Sequence, residues 1–225
     1  MRRILMTVVV LLGTVTRVSA QPARFSLGPV ARIDRVSMEA GAGGTTTVAG
    51  VRAGGRIAGI FGLEAELTQA RNRIERSYEG WFISYATGPN PTREEIEALA
   101  PTARRTLGYA PGTGWSVALA ARDHLTPRIT IAAKVGASAR RYLETSSYTV
   151  LTIPEGVDPA RVAHDFQSSA QRKTRGGLLI GLDLAVEVTK HITIAPELRY
   201  VYGGPAQVGN KHREVGAGVL GTWRF

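Results

Sequence analysis

The chain offers little conventional catalytic chemistry. Its histidines are His124, His164, His191 and His212, and it has no cysteine. Acyl chemistry on a serine needs a nucleophile, a base and an orienting group that converge. His164-Asp165 lies near Ser168 and Ser169, but in a stretch that reads as a loop; His212 follows Asn210 in another loop. His124 and His191 stand at short turns, and no histidine lies two residues from a serine on a strand. Without cysteine there is no thiolate metal site, disulfide framework or thiol nucleophile. No metal-ligand spacing, phosphate loop or nucleic-acid motif occurs, so the expected inventory has no metal, no cofactor and no nucleic-acid partner. The chemistry that remains is ionic. Arg71, Arg73, Arg76, Arg104, Arg105, Arg140, Arg141, Arg172, Lys173, Arg175, Lys211 and Arg213 gather at recurring places along the chain, and guanidinium forks match phosphate geometry. A second set, of both signs, recurs in one phase of alternating segments: Arg52, Arg56, Glu64, Glu66, Arg122, Lys134, Asp183, Glu187, Glu197, Arg199, Glu214 and Arg224.

The segments that position these charges alternate with period two, the signature of strands with two unlike faces. The last is the clearest guide. Val215, Ala217, Val219, Gly221, Trp223 and Phe225 form an uncharged phase, whereas Glu214, Leu220, Thr222 and Arg224 fall in the other. Seven more segments precede it, at about 25–38, 46–57, 61–76, 107–122, 129–140, 178–188 and 192–202. The first is the weakest, with Phe25, Leu27, Ala31 and Ile33 against Arg32 and Asp34. Connections after the second, fourth and sixth segments are short; those after the third and fifth, about 77–105 and 144–171, are long. Within the first long insert Thr92 and Glu95 form a capping box before a short helix, and in the second Asp158-Pro159 reads as an N-cap followed by proline at the first helical position. Both inserts are expected to extend the strands, packing Tyr78, Trp81, Phe82, Tyr85, Tyr148, Val150 and Ile153 on one another, and not to form an adhesive surface.

The start of the chain sets the compartment. Met1-Arg2-Arg3, an apolar run over 4–15 and Val18-Ser19-Ala20 have the order of a secretory signal peptide cleaved after residue 20. The expected organisation is therefore a leader over 1–20 and one barrel domain over 21–225. Losing Arg2, Arg3 and Arg17 leaves 25 basic and 18 acidic side chains, a net charge of +7. An exported chain of that charge meets phosphates at a membrane surface more readily than nucleic acid. No later stretch is apolar and long enough for a transmembrane helix, so a membrane role requires a closed barrel, whose backbone groups are all satisfied internally. Short turns on one side, long loops on the other and an even strand number are the pattern of such barrels. A soluble calycin-type barrel would show the same alternation with its phases inverted, apolar inward.

The leader, the eight segments, the rhythm of the connections and the closing Trp223-Arg224-Phe225 resemble the small outer-membrane barrels of the outer-membrane protein A and X class, a porin-like outer-membrane β-barrel family. The resemblance covers 21–225 and rests on pattern and ending. It implies an all-β fold: an eight-stranded antiparallel up-and-down transmembrane barrel, with short periplasmic turns and longer extracellular loops carrying short helices. It further implies residence in a Gram-negative outer membrane and Trp223 and Phe225 as the ending read by the barrel assembly machinery; with 21–225 taken up by the barrel, the peptidoglycan-binding part found in some members is not expected. Phe25, Phe61, Trp223 and Phe225 then suit the inner interface, and Tyr109, Tyr142, Tyr200 and Tyr202 the outer one. The second charge set becomes a network plugging the interior, since eight strands enclose only enough room for side chains. The basic cluster becomes a rim that contacts lipopolysaccharide. The function expected is structural or surface-interactive, without enzyme activity; the extracellular partner is not specified. Two rivals share the fold: a lipid A-modifying enzyme and a narrow diffusion channel.

Overall fold

The computed structural model describes residues 25–38, 41–81, 92–203 and 212–225. The expected leader, Phe82, Tyr85 and Lys211 lie outside the described residues. Among the described residues nine strands and two short helices follow in order: β1 (Phe25–Ser37), β2 (Gly43–Ala58), β3 (Phe61–Arg71), β4 (Ile74–Trp81), α1 (Arg93–Leu99), β5 (Thr102–Thr126), β6 (Ile129–Thr152), α2 (Pro159–Asp165), β7 (Ser169–Glu187), β8 (Ile192–Gly203) and β9 (His212–Arg224). All neighbours pair antiparallel, β1 with β9 and β3 with β5, so the sheet closes on itself. β3 and β4 both lie against β5, one above the other, so the ring has eight strands.

The register fixes the barrel's shape. Following paired residues around the ring from Ser37 leads through Arg213, Tyr202, Leu178, Ala137, Val117, Ala65 and Ala53. The path returns to β1 at Leu27, ten residues from its start. Closure with that stagger requires strands steeply tilted to the barrel axis.

The alternation decides which side meets lipid. On β7, Leu182 and Leu184 are 45% and 40% exposed whereas Asp183 between them is 5% exposed. The same holds around the ring: Leu27, Ile33, Val51, Leu67, Val135, Ile180, Leu198 and Val219 point out, while Arg32, Asp34, Glu64, Glu66, Lys134, Glu197 and Arg199 point in. A large apolar side chain left in water forfeits about 1.5–3 kcal/mol. A continuous outer wall of them is at home only in hydrocarbon, and this is a transmembrane barrel with the phases of a soluble one inverted.

The short turns are held by local chemistry. Gly59 takes φ 53 in the β2–β3 turn, a left-handed conformation that costs glycine nothing. Thr126 Oγ1 accepts from the Arg128 and Ile129 amides at 3.3 and 3.1 Å. Thr189 Oγ1 does the same for His191 and Ile192 at 3.2 and 3.0 Å. At the opposite end β5 and β6 run well past the membrane, paired from Tyr109↔Glu144 up to Thr102↔Thr152, with β4 added from Ile74↔Tyr109 to Trp81↔Thr102. The long inserts thus continue the strands, but of the side chains expected to pack there Tyr148 and Val150 do so while Tyr78, Trp81 and Ile153 stay exposed; the change from β3 to β4 occurs at Asn72, which has φ 72. Thr92 and Glu95 close the capping box on α1, and Asp158 caps α2 with Pro159 inside its first turn. Val162 and Phe166 of that second insert pack on Ala103 and Tyr148 of the extension.

Candidate functional site

Two ionic constellations stand out: one lies inside the barrel, the other at its outer end. The lumenal one is centred on Arg52. Its guanidinium meets Glu66 at 2.7 Å, Asp183 at 3.3 Å and Glu64 at 3.5 Å, and also pairs with Glu197. Lys134 bonds Glu64 at 2.7 Å and pairs with Asp183. From the other side Arg32 bridges Asp34, Glu66 and Glu197 at 2.7, 3.1 and 3.3 Å. Arg199 reaches Glu66 and Ser138, both at 2.9 Å. These residues come from β1, β2, β3, β6, β7 and β8, so the network crosses the whole lumen. The cavity left among Arg52, Glu64, Glu66 and Lys134 measures about 10 Å³, no more than one water requires.

A second cluster sits toward the extracellular end. Glu214 accepts from the Tyr142 hydroxyl at 2.8 Å and lies 3.0 Å from His212 Nε2 and 3.5 Å from Arg140. Apolar layers bracket the charges, with Val30, Ala195 and Leu220 at one level and Val36, Met38, Ala42, Ile74, Tyr109 and Tyr142 at another. Beyond the second layer Glu144 holds Arg175 and Lys173 at 2.6 and 3.0 Å, and Arg175 lies over the Tyr109 ring.

Most of the interior charges expected from sequence face the lumen: Arg52, Glu64, Glu66, Lys134, Asp183, Glu197, Arg199 and Glu214. Arg56, Arg122, Glu187 and Arg224 lie nearer the periplasmic mouth and are partly exposed. Arg56 donates to the Gly59 carbonyl, Arg122 pairs with Glu64 at 2.5 Å, and Arg224 pairs with Glu187 at 3.4 Å. Arg32 and Asp34 belong to the network as well. Their parity on the first segment pointed inward, but that segment's alternation is the weakest of the eight.

The rim set divides. Arg140 and Arg175, expected at the outer rim, are buried inside at 5% and 6% exposure. Arg105 also faces inward, bonding Ser146 at 3.0 Å and lying over Tyr148. Tyr109 and Tyr142, expected in the outer aromatic belt, are buried in the lumen too, while Tyr200 and Tyr202 do face out. The reason is the strand extensions: the alternation continues above the membrane, so Arg140, Tyr142 and Arg175 still obey the inward phase, while the bulge between Pro111 and Gly114 reverses the phase of β5 and turns Tyr109 and Arg105 inward. Arg73 pairs with Glu75 and Arg104 with Glu79, both at 2.6 Å, and Arg76 bonds the Gly41 carbonyl. Arg71, Arg141, Arg172 and Arg213 point outward, and Arg35 joins them. Arg35 was missed because it follows Ile33 in the apolar phase, where a cation was not sought.

The histidines lie apart. His124 meets Thr130 at 3.1 Å near the β5–β6 turn, His191 stacks on Trp223, and His212 is sealed in the lumen beside Glu214.

No protein-family model matches the chain, and no curated protein does. Among solved structures, Neisserial surface protein A aligns with a TM-score of 0.49 at 15% identity, covering 91% of this chain and 100% of that one. The attachment invasion locus protein Ail of Yersinia pestis, in complex with the heparin analogue sucrose octasulfate, aligns with a TM-score of 0.47 at 11% identity over 91% and 100%. The N-terminal barrel domain of Pseudomonas aeruginosa OprF gives 0.41 at 11% identity over 88% and 97%. At these identities the likeness is one of fold alone.

Proposed function

We propose that this chain is an outer-membrane barrel with a sealed interior, acting structurally or in surface interaction, and that its outer rim contacts lipopolysaccharide. The observation that carries the reading is the filled lumen. Ion pairs span it from wall to wall and apolar layers lie at two levels, which supports a closed interior. On this reading transport is not its task, and the outer surface is left for recognition. There the outward arginines face the leaflet whose lipid bears phosphates, and guanidinium–phosphate contacts gain strength where water is partly excluded. The terminal strand fits the same reading, with Trp223 and Phe225 outward at the periplasmic edge as an ending for the assembly machinery.

Two comparisons test this. Lipopolysaccharide should co-purify with the wild-type barrel and be lost when its lipid A is dephosphorylated; equal retention of both would count against a phosphate-reading rim. Mass spectrometry of lipid A from an overexpressing strain should show an unchanged acyl pattern. Loss or gain of an acyl chain would favour the enzyme of the same fold.

A further inference from the structure

The outward arginines are not merely at strand ends; the register puts four of them at one height. In a steeply tilted barrel each residue along a strand adds roughly 2.4 Å of height. The closing path from Ser37 to Leu27 descends about 24 Å in eight steps, or about 3 Å per strand. On that scale Arg35, Arg71, Arg141 and Arg213 all fall about 19–22 Å above Leu27, and Arg172 lies about 8 Å higher. The outer apolar wall ends just beneath them, with Ile33, Leu67 and Val215 the last large apolar side chains below three of the four. These arginines therefore sit where hydrocarbon gives way to headgroups.

Their distribution around the ring is uneven. Arg213, Arg35 and Arg71 lie on β9, β1 and β3, within four consecutive strands, whereas Arg141 stands across the barrel on β6. Arg213 and Arg35 are diagonal neighbours, since Ser37 pairs with Arg213 and Arg35 with Val215; such positions are about 7–8 Å apart. Between Arg35 and Arg71, β2 contributes Thr45, opposite Arg35, and Thr47, opposite Arg71. Among the described residues no carboxylate pairs with Arg35, Arg71 or Arg213, and β1, β2, β3 and β9 present none on their outward phase. Arg213 lies over the Tyr202 ring, 5.6 Å from its centroid. The outward wall below this row interleaves small side chains, Ala31, Ala49, Ala53, Ala65 and Ala217, with Ile33, Val51, Leu67 and Val219. The opposite flank carries Trp115, Leu119, Ile180 and Leu182.

We infer that the β9–β1–β2–β3 flank is a docking surface for one phosphorylated, multiply acylated glycolipid, lipid A. Arg35 and Arg213 converge on one phosphate and Arg71 takes the other end of the disaccharide. Thr45 and Thr47 bond sugar hydroxyls between them, and acyl chains lie against the apolar wall below. The arginine row carries the assignment through charge complementarity, and the wall beneath it fits the chains. The inference rests on the lipopolysaccharide-contacting rim proposed above and narrows it to one side of the barrel.

The test is lipid binding to the full chain refolded in detergent, with heat-modifiable migration confirming that each variant is folded. The probes are bisphosphorylated lipid A, its dephosphorylated form and phosphatidylglycerol. A surface cation facing anionic lipid is worth about fivefold in affinity. The combined variant Arg35→Gln, Arg71→Gln, Arg213→Gln should thus lose on the order of 100-fold for bisphosphorylated lipid A. Arg141→Gln should lose about fivefold or less. A second variant, Ala49→Trp with Ala53→Trp, keeps every arginine and should still weaken lipid A binding by obstructing the wall. Equal losses in the triple variant and Arg141→Gln would overturn the flank while leaving the rim intact. Equal affinity for phosphatidylglycerol and lipid A would also overturn it, as a generic anionic surface. No preference of the wild type for the phosphorylated over the dephosphorylated form would sink the flank and the rim together.

Discussion

Replacing Arg52 with leucine tests the lumen at its most connected point. The guanidinium serves four acids, Glu64, Glu66, Asp183 and Glu197, and the side chain is 12% exposed. Breaking a buried pair by removing one partner costs about 3–5 kcal/mol, because the remaining charge keeps its desolvation penalty. Here the loss should fall near the lower end, about 3 kcal/mol, since Glu66 retains Arg32 and Arg199 and Glu64 retains Lys134 and Arg122. Urea unfolding in lipid vesicles, followed by the fluorescence of Trp81, Trp115 and Trp223, reads this directly. With a slope of about 1–3 kcal/mol per molar urea, the midpoint should drop by about 1–3 M. Adding Glu197→Gln to Arg52→Leu should recover about 1 kcal/mol, since the excess of buried acid left by the lost arginine is then removed although Glu197 still has Arg32 and Lys134 beside it. The outward Arg71→Leu should stay within about 0.5 kcal/mol of wild type. A midpoint for Arg52→Leu no lower than that of Arg71→Leu would refute the claim that the ion pairs hold the lumen together.

Three further outcomes follow from the geometry. Because the chain has no cysteine, single cysteines report orientation cleanly: Leu182→Cys should react with a membrane-confined maleimide and Asp183→Cys should resist it, and the reverse would mean the faces are misassigned. Asn72 holds a left-handed backbone at the β3–β4 step, so Asn72→Gly should be near neutral while Asn72→Val should cost about 1–2 kcal/mol by the same urea assay. Trp223→Ala with Phe225→Ala should lower the folded fraction in the outer membrane, scored by heat-modifiable migration, with little change in the stability of what does fold; an unchanged yield would remove the assembly role from this ending.

The strands were readable because lipid on one side and charge on the other enforce period two, and β7 shows it without a break from Leu178 to Glu187. Periodicity has no sign, however. Only the burial of Asp183 between two exposed leucines shows which phase is inside. The outer ends were harder for a related reason. Arg140 shares its parity with Lys134 and Arg175 shares its parity with Asp183, so both were legible as lumenal once the strands were known to continue. A strand assumed to stop at the membrane edge made them look like rim residues. Tyr142 was misplaced on the same ground, whereas Tyr109 turns inward because the bulge between Pro111 and Gly114 reverses the phase of β5. Arg35 shows the converse: a lone cation at the top of an apolar phase carries no signal until the register sets it level with Arg71, Arg141 and Arg213. The joining of Arg32 to Glu66 and Glu197 was beyond sequence altogether, since those partners lie 34 and 165 residues away.

The most direct measurement is single-channel conductance of the refolded wild-type barrel in a planar bilayer. A lumen crossed by the Arg52, Lys134, Arg32 and Arg199 ion pairs should give no stable conductance steps above background. Substituting Arg52, Glu66 and Glu197 together with alanine should open intermittent ones. Steady, reproducible channels from the wild-type protein would contradict a sealed interior and return the narrow diffusion channel to first place.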